Sequence, residues 1–231
     1  EVLNDFIKYN PGARHRRRGI LKLLKKARFY NMLDVGCGNG ELINDIKSFY
    51  GYAISYKGVD LSPEVVAKNN KRCPFASFSA LNIEEEALDE KFDLVTCSEV
   101  IEHLGDRKKA FKHLSSMLND GGYLLVTSPC GPVFQTERRW GHTTHPTKKE
   151  IKEHAAENGL EVVHLSNWGF PLYFGLKIAT NINAEWSLKN FGSGAYSLKA
   201  KIVSTILYWV NFLNFPNTSK GCQLFALLKK K

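Results

Sequence analysis

The sequence has few of the features that mark secreted, zinc-stapled or membrane-spanning chains. Its 231 residues include five cysteines, and no two of them form a CxxC pair. An odd, scattered set of cysteines argues against a disulfide framework and against a structural zinc site. The first fifteen residues lack the apolar segment of a signal peptide, and no uninterrupted apolar run reaches the roughly 18 residues of a spanning helix. We therefore expect a reduced, cytoplasmic, globular protein.

Acidic residues are outnumbered by basic ones. The chain has 32 lysines and arginines against 23 acidic residues, which gives a formal net charge of +9. Part of the excess is concentrated in residues 14–18 and 229–231. Such clusters favour anionic partners, namely nucleic acid, a phosphorylated substrate or an acidic lipid surface. Solvated helix faces would explain each cluster equally well.

Strand and helix patterns alternate along most of the chain. Short apolar runs that end at glycine or polar residues predict six strands, at residues 32–35, 56–60, 75–80, 92–98, 123–127 and 160–165. Amphipathic or capped segments between them predict helices at residues 41–49, from residue 62, at 107–118 and at 147–158. This alternation predicts an α/β fold with a mainly parallel sheet and right-handed crossovers.

Two segments fall outside this alternation. Residues 14–30 predict a basic N-terminal helix. Residues 168–219 are rich in aromatic side chains and predict two or three helices before a last strand at 221–228. We interpret 168–219 as an insertion, because about fifty residues would form a poor core alone. Residues 1–231 are therefore predicted to form a single domain.

A glycine-rich turn follows the first predicted strand. It reads Asp34, Val35, Gly36, Cys37, Gly38, Asn39, Gly40. Glycine lets the backbone turn sharply and approach a ligand closely, and the N-terminus of the following helix offers free N–H groups to an anion. The pattern is GxGxG and lacks the third glycine of the nicotinamide fingerprint, because position 41 is Glu41.

Further residues follow the next predicted strands. Asp60 ends the second strand, one αβ unit after the glycine turn, where a carboxylate can accept hydrogen bonds from both ribose hydroxyls. The Asn82 amide could hydrogen-bond an adenine edge, and Ile83 could pack on the ring. The predicted cofactor contacts at these strand ends are Asp60, Leu61, Asn82, Ile83, Ser98 and Glu99. They join the predicted contacts of the turn, which are Asp34, Gly36, Cys37, Gly38 and Gly40.

These motifs resemble those of class I S-adenosylmethionine-dependent methyltransferases. The resemblance rests on LDVGCGNGEL (33–42), GVDLSPEVV (58–66), FDLVTCSEVIEHL (92–104) and DGGYLLVTSP (120–129). EVIEHL is similar to the subgroup with ubiquinone-pathway O-methyltransferases and many surface-glycan methyltransferases. The resemblance implies a Rossmann-like, doubly wound, seven-stranded and mainly parallel sheet with an antiparallel last strand. It also implies S-adenosyl-L-methionine as the cofactor and S-adenosyl-L-homocysteine as the product, with the methionine carboxylate at the glycine turn.

The resemblance further implies an arginine on the N-terminal helix that closes over the cofactor. Arg16, Arg17 and Arg18 are the candidates, and we select Arg17. The chain departs from the family where the last two strands usually form a tight hairpin, because the aromatic insertion lies between them here.

Acidic and histidine side chains follow the fourth predicted strand. Methyl transfer to a hydroxyl needs a base for the released proton. We predict His103 as this base, Glu102 as the residue that orients it, and His145 as a further catalytic residue. Glu99, Glu102, His103 and His142 also form a plausible divalent-metal set, which the similarity to small-RNA 2′-O-methyltransferases with an ExxEH motif supports. The metal-free interpretation is favoured.

Residues 196–215 carry no charge after Lys201, and Ile202, Ile206, Trp209 and Leu213 recur near helical spacing. The segment is too short to span a bilayer. We favour a lid that packs on the sheet edge and encloses an apolar pocket. The alternative is a helix that lies in the membrane interface, which would place the protein peripherally on the inner membrane surface. Both interpretations indicate an amphiphilic or lipid-linked acceptor, or a partner protein.

Three functions remain open at this point. The first is O-methylation of a small-molecule, sugar or lipid-linked acceptor. The second is RNA 2′-O-methylation with an ExxEH metal site, which is less favoured because no RNA-binding module is visible and the aromatic residues do not alternate with basic ones. The third is a non-catalytic cofactor-binding protein, which the acidic and histidine residues at the strand edge disfavour. The sequence leaves the oligomeric state open.

Overall fold

The structure, a computed structural model, describes residues 4–51, 53–192 and 195–231. Within these ranges one seven-stranded sheet runs through the molecule. Its strands are β1 (Asn31–Val35), β2 (Ser55–Asp60), β3 (Ala76–Ala80), β4 (Phe92–Ser98), β5 (Leu118–Pro129), β6 (Leu160–Trp168) and β7 (Gln223–Lys230). The strand order is β3-β2-β1-β4-β5-β7-β6. Strands β1 to β5 pair in parallel, and β7 is antiparallel to both of its neighbours. The predicted sheet with an antiparallel last strand is confirmed.

Helices connect and cover these strands. They are α1 (Asn4–Tyr9), α2 (Pro11–Leu24), α3 (Glu41–Tyr50), α4 (Pro63–Arg72), α5 (Arg107–Ser116), α6 (Gln135–Arg138), α7 (Lys148–Glu157), α8 (Leu172–Ile182), α9 (Ala184–Phe191) and α10 (Leu198–Val210). Two predicted caps form: Ser62 accepts from the Val65 N–H at 3.4 Å, and Thr147 accepts from the Glu150 N–H at 3.1 Å. The short helices α1 and α6 have no counterpart in the sequence prediction.

The core lies on both faces of the sheet, because successive strand residues point to opposite sides. On one face, Phe111 of α5 and Ile151 of α7 pack against alternate strand residues such as Val95. On the other face, Ile20 of α2 and side chains of α3 pack against the intervening residues. Coverage on both faces explains the nearly continuous apolar sequence of the central strands.

The N-terminal helix begins and ends earlier than residues 14–30. It begins at Pro11 because the Asn10 side chain accepts from the Ala13 N–H at 3.0 Å and proline suits the first turn. It ends at Leu24, where the chain turns so that Ala27 and Phe29 reach the core. The sequence has no helix-breaking residue at this bend. The bend is ordered by the burial of Ala27 and Phe29.

The aromatic insertion, residues 168–219, folds back onto α2. His15 is its central contact: the ring lies 4.8 Å from that of Trp168 and 4.7 Å from that of Phe212, measured between centroids. Its Nε2 lies 2.8 Å from the carbonyl oxygen of Tyr208. Burial lowers the pKa of His15, so the neutral ring joins α2 to α10 at neutral pH.

Replacement of His15 by alanine tests this junction. We expect His15→Ala to lower the free energy of unfolding by about 2–3 kcal/mol, because it removes a buried hydrogen bond and three ring contacts. Urea unfolding followed by circular dichroism measures the loss. Lys22→Ala, at an exposed position of the same helix, should stay within about 0.5 kcal/mol of the parent. A His15→Ala variant as stable as Lys22→Ala would show that this cluster does not anchor the insertion.

Candidate active site

The carboxyl ends of the central parallel strands meet at one edge of the sheet. Val35 of β1 pairs with Val59 of β2 and with Cys97 of β4. The glycine turn, Asp60 and Glu99 each follow directly after one of these residues or its neighbour. In open α/β sheets this edge is where ligands bind, and the predicted site residues therefore converge on it.

The glycine turn is held by backbone contacts to β2. The N–H groups of Gly36 and Cys37 donate to the carbonyl oxygen of Val59 at 2.8 and 2.9 Å. Gly36, Gly38 and Gly40 all have positive φ, at 70°, 50° and 77°. A Cβ on Gly36 would lie 2.2 Å from Cγ2 of Val100, whereas a Cβ on Gly38 would meet nothing within 4 Å. The turn thus requires glycine and presents bare backbone toward open space, which fits a closely bound ligand.

Asp60 is fixed against this turn. Its Oδ2 accepts from the Gly38 N–H at 3.0 Å, and its Oδ1 accepts from the Ser62 N–H at 3.0 Å. The buried Asn69 amide donates to the Gly38 carbonyl oxygen at 2.7 Å and supports the turn from behind. Leu61 follows with 70% of its surface exposed. The arrangement offers a positioned carboxylate beside an exposed apolar side chain.

The remaining predicted cofactor contacts differ in accessibility. Asn82 lies at the end of β3, where its Oδ1 accepts from the Glu84 N–H at 3.1 Å, and Ile83 beside it is buried. Asp34 is buried and accepts from the Thr96 hydroxyl at 2.6 Å. Burial raises the pKa of Asp34 to about 7. Asp34 therefore ties β1 to β4 beneath the turn.

Glu99 connects four parts of the chain. Its φ of 60° is the one positive φ at a non-glycine among the described residues, and its N–H donates to the Thr127 carbonyl oxygen at 2.9 Å. Its carboxylate accepts from Arg16 at 2.9 Å, from the Gln223 amide at 2.9 Å and from the Thr127 hydroxyl at 3.2 Å. Nearby, the Ser98 hydroxyl lies 2.8 Å from that of Thr127. No local sequence pattern indicates Gln223, which lies 124 residues from Glu99.

The structure places Arg16 at the strand edge, where the sequence analysis selected Arg17. Arg17 instead pairs with Asp45 of α3 at 2.8 Å and donates to the Ile7 carbonyl oxygen at 2.7 Å. Neighbouring helix residues point about 100° apart, so only one of the consecutive arginines can face Glu99. The sequence could not fix that rotation.

A cavity of about 360 Å³ opens beside these strand ends. Its polar side includes Arg16, Glu99, Glu102, His103, His142 and Gln223. Its apolar side is formed by Phe6, Pro11, Ala13, Trp140, Leu176, Leu188 and Phe191. The cavity therefore combines a charged floor at the sheet edge with walls from α1, α2 and the insertion.

Glu102 contributes a buried carboxyl to this floor. It is 1% exposed, and neither of its oxygens has a partner with good hydrogen-bond geometry among the described residues, although the nearby Ser128 side chain acts to lower its pKa. Burial, and then the nearby Glu99 carboxylate, raise the pKa of Glu102 to about 8. The sequence predicts that Glu102 orients His103, but no hydrogen bond joins these two side chains in the structure. A buried polar group without a partner is costly, so Glu102 is poised to meet a ligand atom.

Two histidines, His103 and His142, adjoin Glu102, and His145 lies behind them. His103 is exposed to the cavity, and partial desolvation lowers its pKa. The His142 ring lies 4.6 Å from that of His103 between centroids, and its Nδ1 lies 3.1 Å from Nε2 of His145. Burial and the two neighbouring histidines lower the pKa of His142 to about 4. His145 lies behind His142, with its Nδ1 3.2 Å from the Gly131 carbonyl oxygen.

In the part of the chain that the structure describes, two overlapping groups present possible metal-ligand atoms within 4.8 Å of one another. They are Glu102 with His103 and His142, and Glu137 with His142 and His145. Glu137 is already paired with Lys177, whose Nζ lies 2.5 Å away. Glu99, a member of the predicted metal set, belongs to neither group, and its carboxylate is bound by Arg16 and Gln223.

The insertion supplies one wall of the cavity through α8 and α9. Tyr173, Leu176 and Lys177 of α8 and Leu188 of α9 face the space. No residue of α10 is among the lining residues of the described chain. The predicted lid role therefore falls on α8 and α9, whereas the segment 196–215 lies elsewhere.

The fold and the edge geometry agree with comparison to known proteins. Residues 9–165 match a family described as a methyltransferase domain. The chain belongs to this family, as a class I S-adenosylmethionine-dependent methyltransferase. This confirms the resemblance drawn from the glycine turn and the EVIEHL segment.

Some relatives align with only part of this chain, and solved structures share its fold. A putative methyltransferase 235L of Invertebrate iridescent virus 6 is 27% identical over 109 residues, covering 47% of this chain and 41% of the relative. A ubiquinone biosynthesis O-methyltransferase of Coxiella burnetii is 32% identical over 108 residues, covering 42% of this chain and 43% of that one. The alignments thus span about two fifths of these relatives. The N-methyltransferase NodS from Bradyrhizobium japonicum, in complex with S-adenosyl-L-homocysteine, superposes with a TM-score of 0.61 at 19% identity, covering 97% and 90% of the two chains.

The Glu102 carboxyl makes stability depend on pH in a defined direction. Between pH 4.5 and about 8 the folded methyltransferase keeps a proton that the unfolded chain loses, so the free energy of unfolding falls as pH rises. The slope is at most about 1.4 kcal/mol per pH unit. We expect Glu102→Gln to flatten this decline. Urea unfolding from pH 5 to pH 8.5 in EDTA measures both proteins, and parallel curves would contradict a buried, protonated Glu102.

Proposed function

We propose that this methyltransferase methylates a hydroxyl group on a small acceptor with an apolar body, held in the cavity between the sheet edge and α8–α9. The observation that supports the proposal most directly is the position of His103 at the cavity floor, beside the buried Glu102. The apolar walls and the limited volume favour an amphiphilic small molecule, such as a lipid-linked one, over an RNA strand.

On the cofactor side, the bare backbone at Gly38 and the fixed carboxylate of Asp60 fit S-adenosylmethionine. The glycine turn and the N-terminus of α3 would receive the methionine carboxylate, and Asp60 would accept from the ribose hydroxyls. Leu61, Asn82 and Ile83 would surround the adenine. Bound there, the cofactor supplies an electrophilic methyl group on sulfur. Arg16 and Glu99, which line the acceptor cavity, would lie where the cofactor site opens into it.

On the acceptor side, His103 is the base. Its lowered pKa leaves the ring neutral at pH 7, so it can take the hydroxyl proton as the oxygen–carbon bond forms and the sulfur–carbon bond breaks. Glu102, protonated at neutral pH, would donate to an acceptor oxygen and hold it near His103. The apolar walls exclude water, which strengthens both interactions. Transfer then depends on positioning and on removal of one proton.

Asp60 provides a test of the cofactor site. Asp60→Asn should weaken binding of S-adenosyl-L-homocysteine by about 10- to 100-fold, because charged hydrogen bonds to the ribose are lost. Isothermal titration calorimetry measures the affinity. Glu64→Gln, an exposed substitution at the start of α4, is the matched control and should bind like the parent. Equal affinity in the two variants would remove Asp60 from the site.

His103 provides a test of the chemistry. A panel of phenolic and glycolipid hydroxyl acceptors, with matched amines, is assayed by formation of S-adenosyl-L-homocysteine. His103→Ala should lower kcat for hydroxyl acceptors by about 10²- to 10⁴-fold and leave S-adenosyl-L-homocysteine affinity unchanged. His164→Ala, on β6, controls for loss of an imidazole. Turnover of amines alone, or an unimpaired His103→Ala, would refute the proposal.

A divalent metal at Glu102, His103 and His142 is the second candidate, because these three side chains bring possible ligand atoms within 4.8 Å of one another. In that case EDTA would abolish turnover and added Mg²⁺, Mn²⁺ or Zn²⁺ would restore it. His142→Ala would then raise the metal concentration needed for half-maximal activity. We expect EDTA to leave the parent's activity within about twofold, as proton removal by His103 requires no metal.

A further inference from the structure

Helix α10 has the reverse of the usual burial pattern. The residues it turns toward the protein include Ala200, Ser204 and, just past its end, Asn211, which are 7%, 2% and 2% exposed. In a surface helix of a globular protein the large apolar residues normally face the core and polar ones face water. Apart from Tyr208, whose ring contacts His15 of α2, small and polar side chains occupy the inward positions, and most of the large apolar side chains face outward.

The outward residues form a continuous apolar stripe. Leu198, Ile202, Ile206, Trp209 and Leu213 are 74%, 51%, 57%, 64% and 72% exposed. They recur every three or four positions, so the first four share one face of α10, and Leu213 continues the stripe in the 3-10 turn Asn211–Leu213. Isolated exposed apolar residues need no explanation, but a contiguous patch of this kind marks an interaction surface. We call this stripe the outer face of α10.

Basic side chains border the outer face. The guanidinium carbon of Arg14 lies 3.5 Å from the ring centroid of Tyr208, and that of Arg18 lies 4.5 Å from the centroid of Phe212. Lys199, in the first turn of α10, is also exposed. Both arginines come from α2, so the edge is positive across two helices. Apolar surface with aromatic residues and a cationic edge is complementary to an anionic lipid headgroup layer.

We propose that the outer face of α10 docks this methyltransferase on an anionic lipid surface. The 13-residue helix would lie parallel to the membrane, with Trp209 and Leu213 entering the headgroup region and Arg14 and Arg18 contacting lipid phosphates. No helix among the described residues is long and apolar enough to cross a bilayer. A second copy of the chain fits the same face less well, because both copies would bring the same positive edge together. The docking does not depend on which acceptor the cavity holds.

Vesicle co-sedimentation tests the docking with the full chain. Vesicles of phosphatidylcholine with phosphatidylglycerol should bind the protein, and vesicles of phosphatidylcholine alone should bind it much more weakly. Added salt should weaken binding, because headgroup attraction is screened. Trp209→Ser with Leu213→Ser should lower the partition coefficient at least about tenfold. Tyr30→Ser with Phe49→Ser, which removes exposed aromatic residues (75% and 51% exposed) elsewhere, is the matched control and should bind normally.

The basic edge needs its own variants. Arg14→Gln with Arg18→Gln should lower binding to phosphatidylglycerol vesicles about fivefold for each arginine. Lys108→Gln with Lys109→Gln on α5 removes the same charge from exposed positions and should have a smaller effect. Thermal unfolding checks that all variants remain folded. The proposal fails if Trp209→Ser/Leu213→Ser binds like its control or if lipid charge has no effect. It also fails if light scattering shows a dimer that this double variant dissolves, without vesicle binding.

Discussion

The carboxylate of Glu99 is the contact on which the site depends. It follows β4 and accepts from Arg16 of the N-terminal helix and from Gln223 of the last strand. Glu99 also has left-handed backbone, a conformation that costs a non-glycine residue about 1–3 kcal/mol. Three side-chain donors and the N–H bond to Thr127 hold it there. Glu99 thereby fixes the strand edge relative to α2 and relative to β7, the strand that follows the insertion.

The contacts of Glu99 place the polar floor of the cavity next to its apolar walls. The floor of the cavity carries Glu102 and His103, which come from the 3-10 turn Ile101–His103 directly after β4. The walls come from α1, α8 and α9 and are mainly apolar. Burial raises the pKa of Glu102 and partial desolvation lowers that of His103, since loss of water contacts disfavours the charged form of each group. The same low-dielectric surroundings would strengthen any hydrogen bond that an acceptor makes there.

The helices of the insertion face in two different directions, and its amino-acid composition does not distinguish them. Helices α8 and α9 turn side chains into the cavity, whereas α10 turns its large apolar residues away from the protein. His15 explains how both are possible, because its ring packs between Trp168 and Phe212 and holds the end of α10 on α2. A helix with small inward residues can pack closely on a neighbour while the opposite face remains available.

The sequence alone predicted a mainly parallel sheet from the alternation of strands and helices. Its motifs, among them the GxGxG turn and EVIEHL, carried the family resemblance that implied the antiparallel last strand. The sequence also brought Asp60, Glu102 and His103 to one edge, since parallel strands end together. Only the tertiary structure decided that Arg16 rather than Arg17 meets Glu99 and that Gln223 joins them. It alone showed that α8 and α9, not α10, line the cavity. Those outcomes depend on helix rotation and on packing between residues far apart in the chain, which no local pattern specifies.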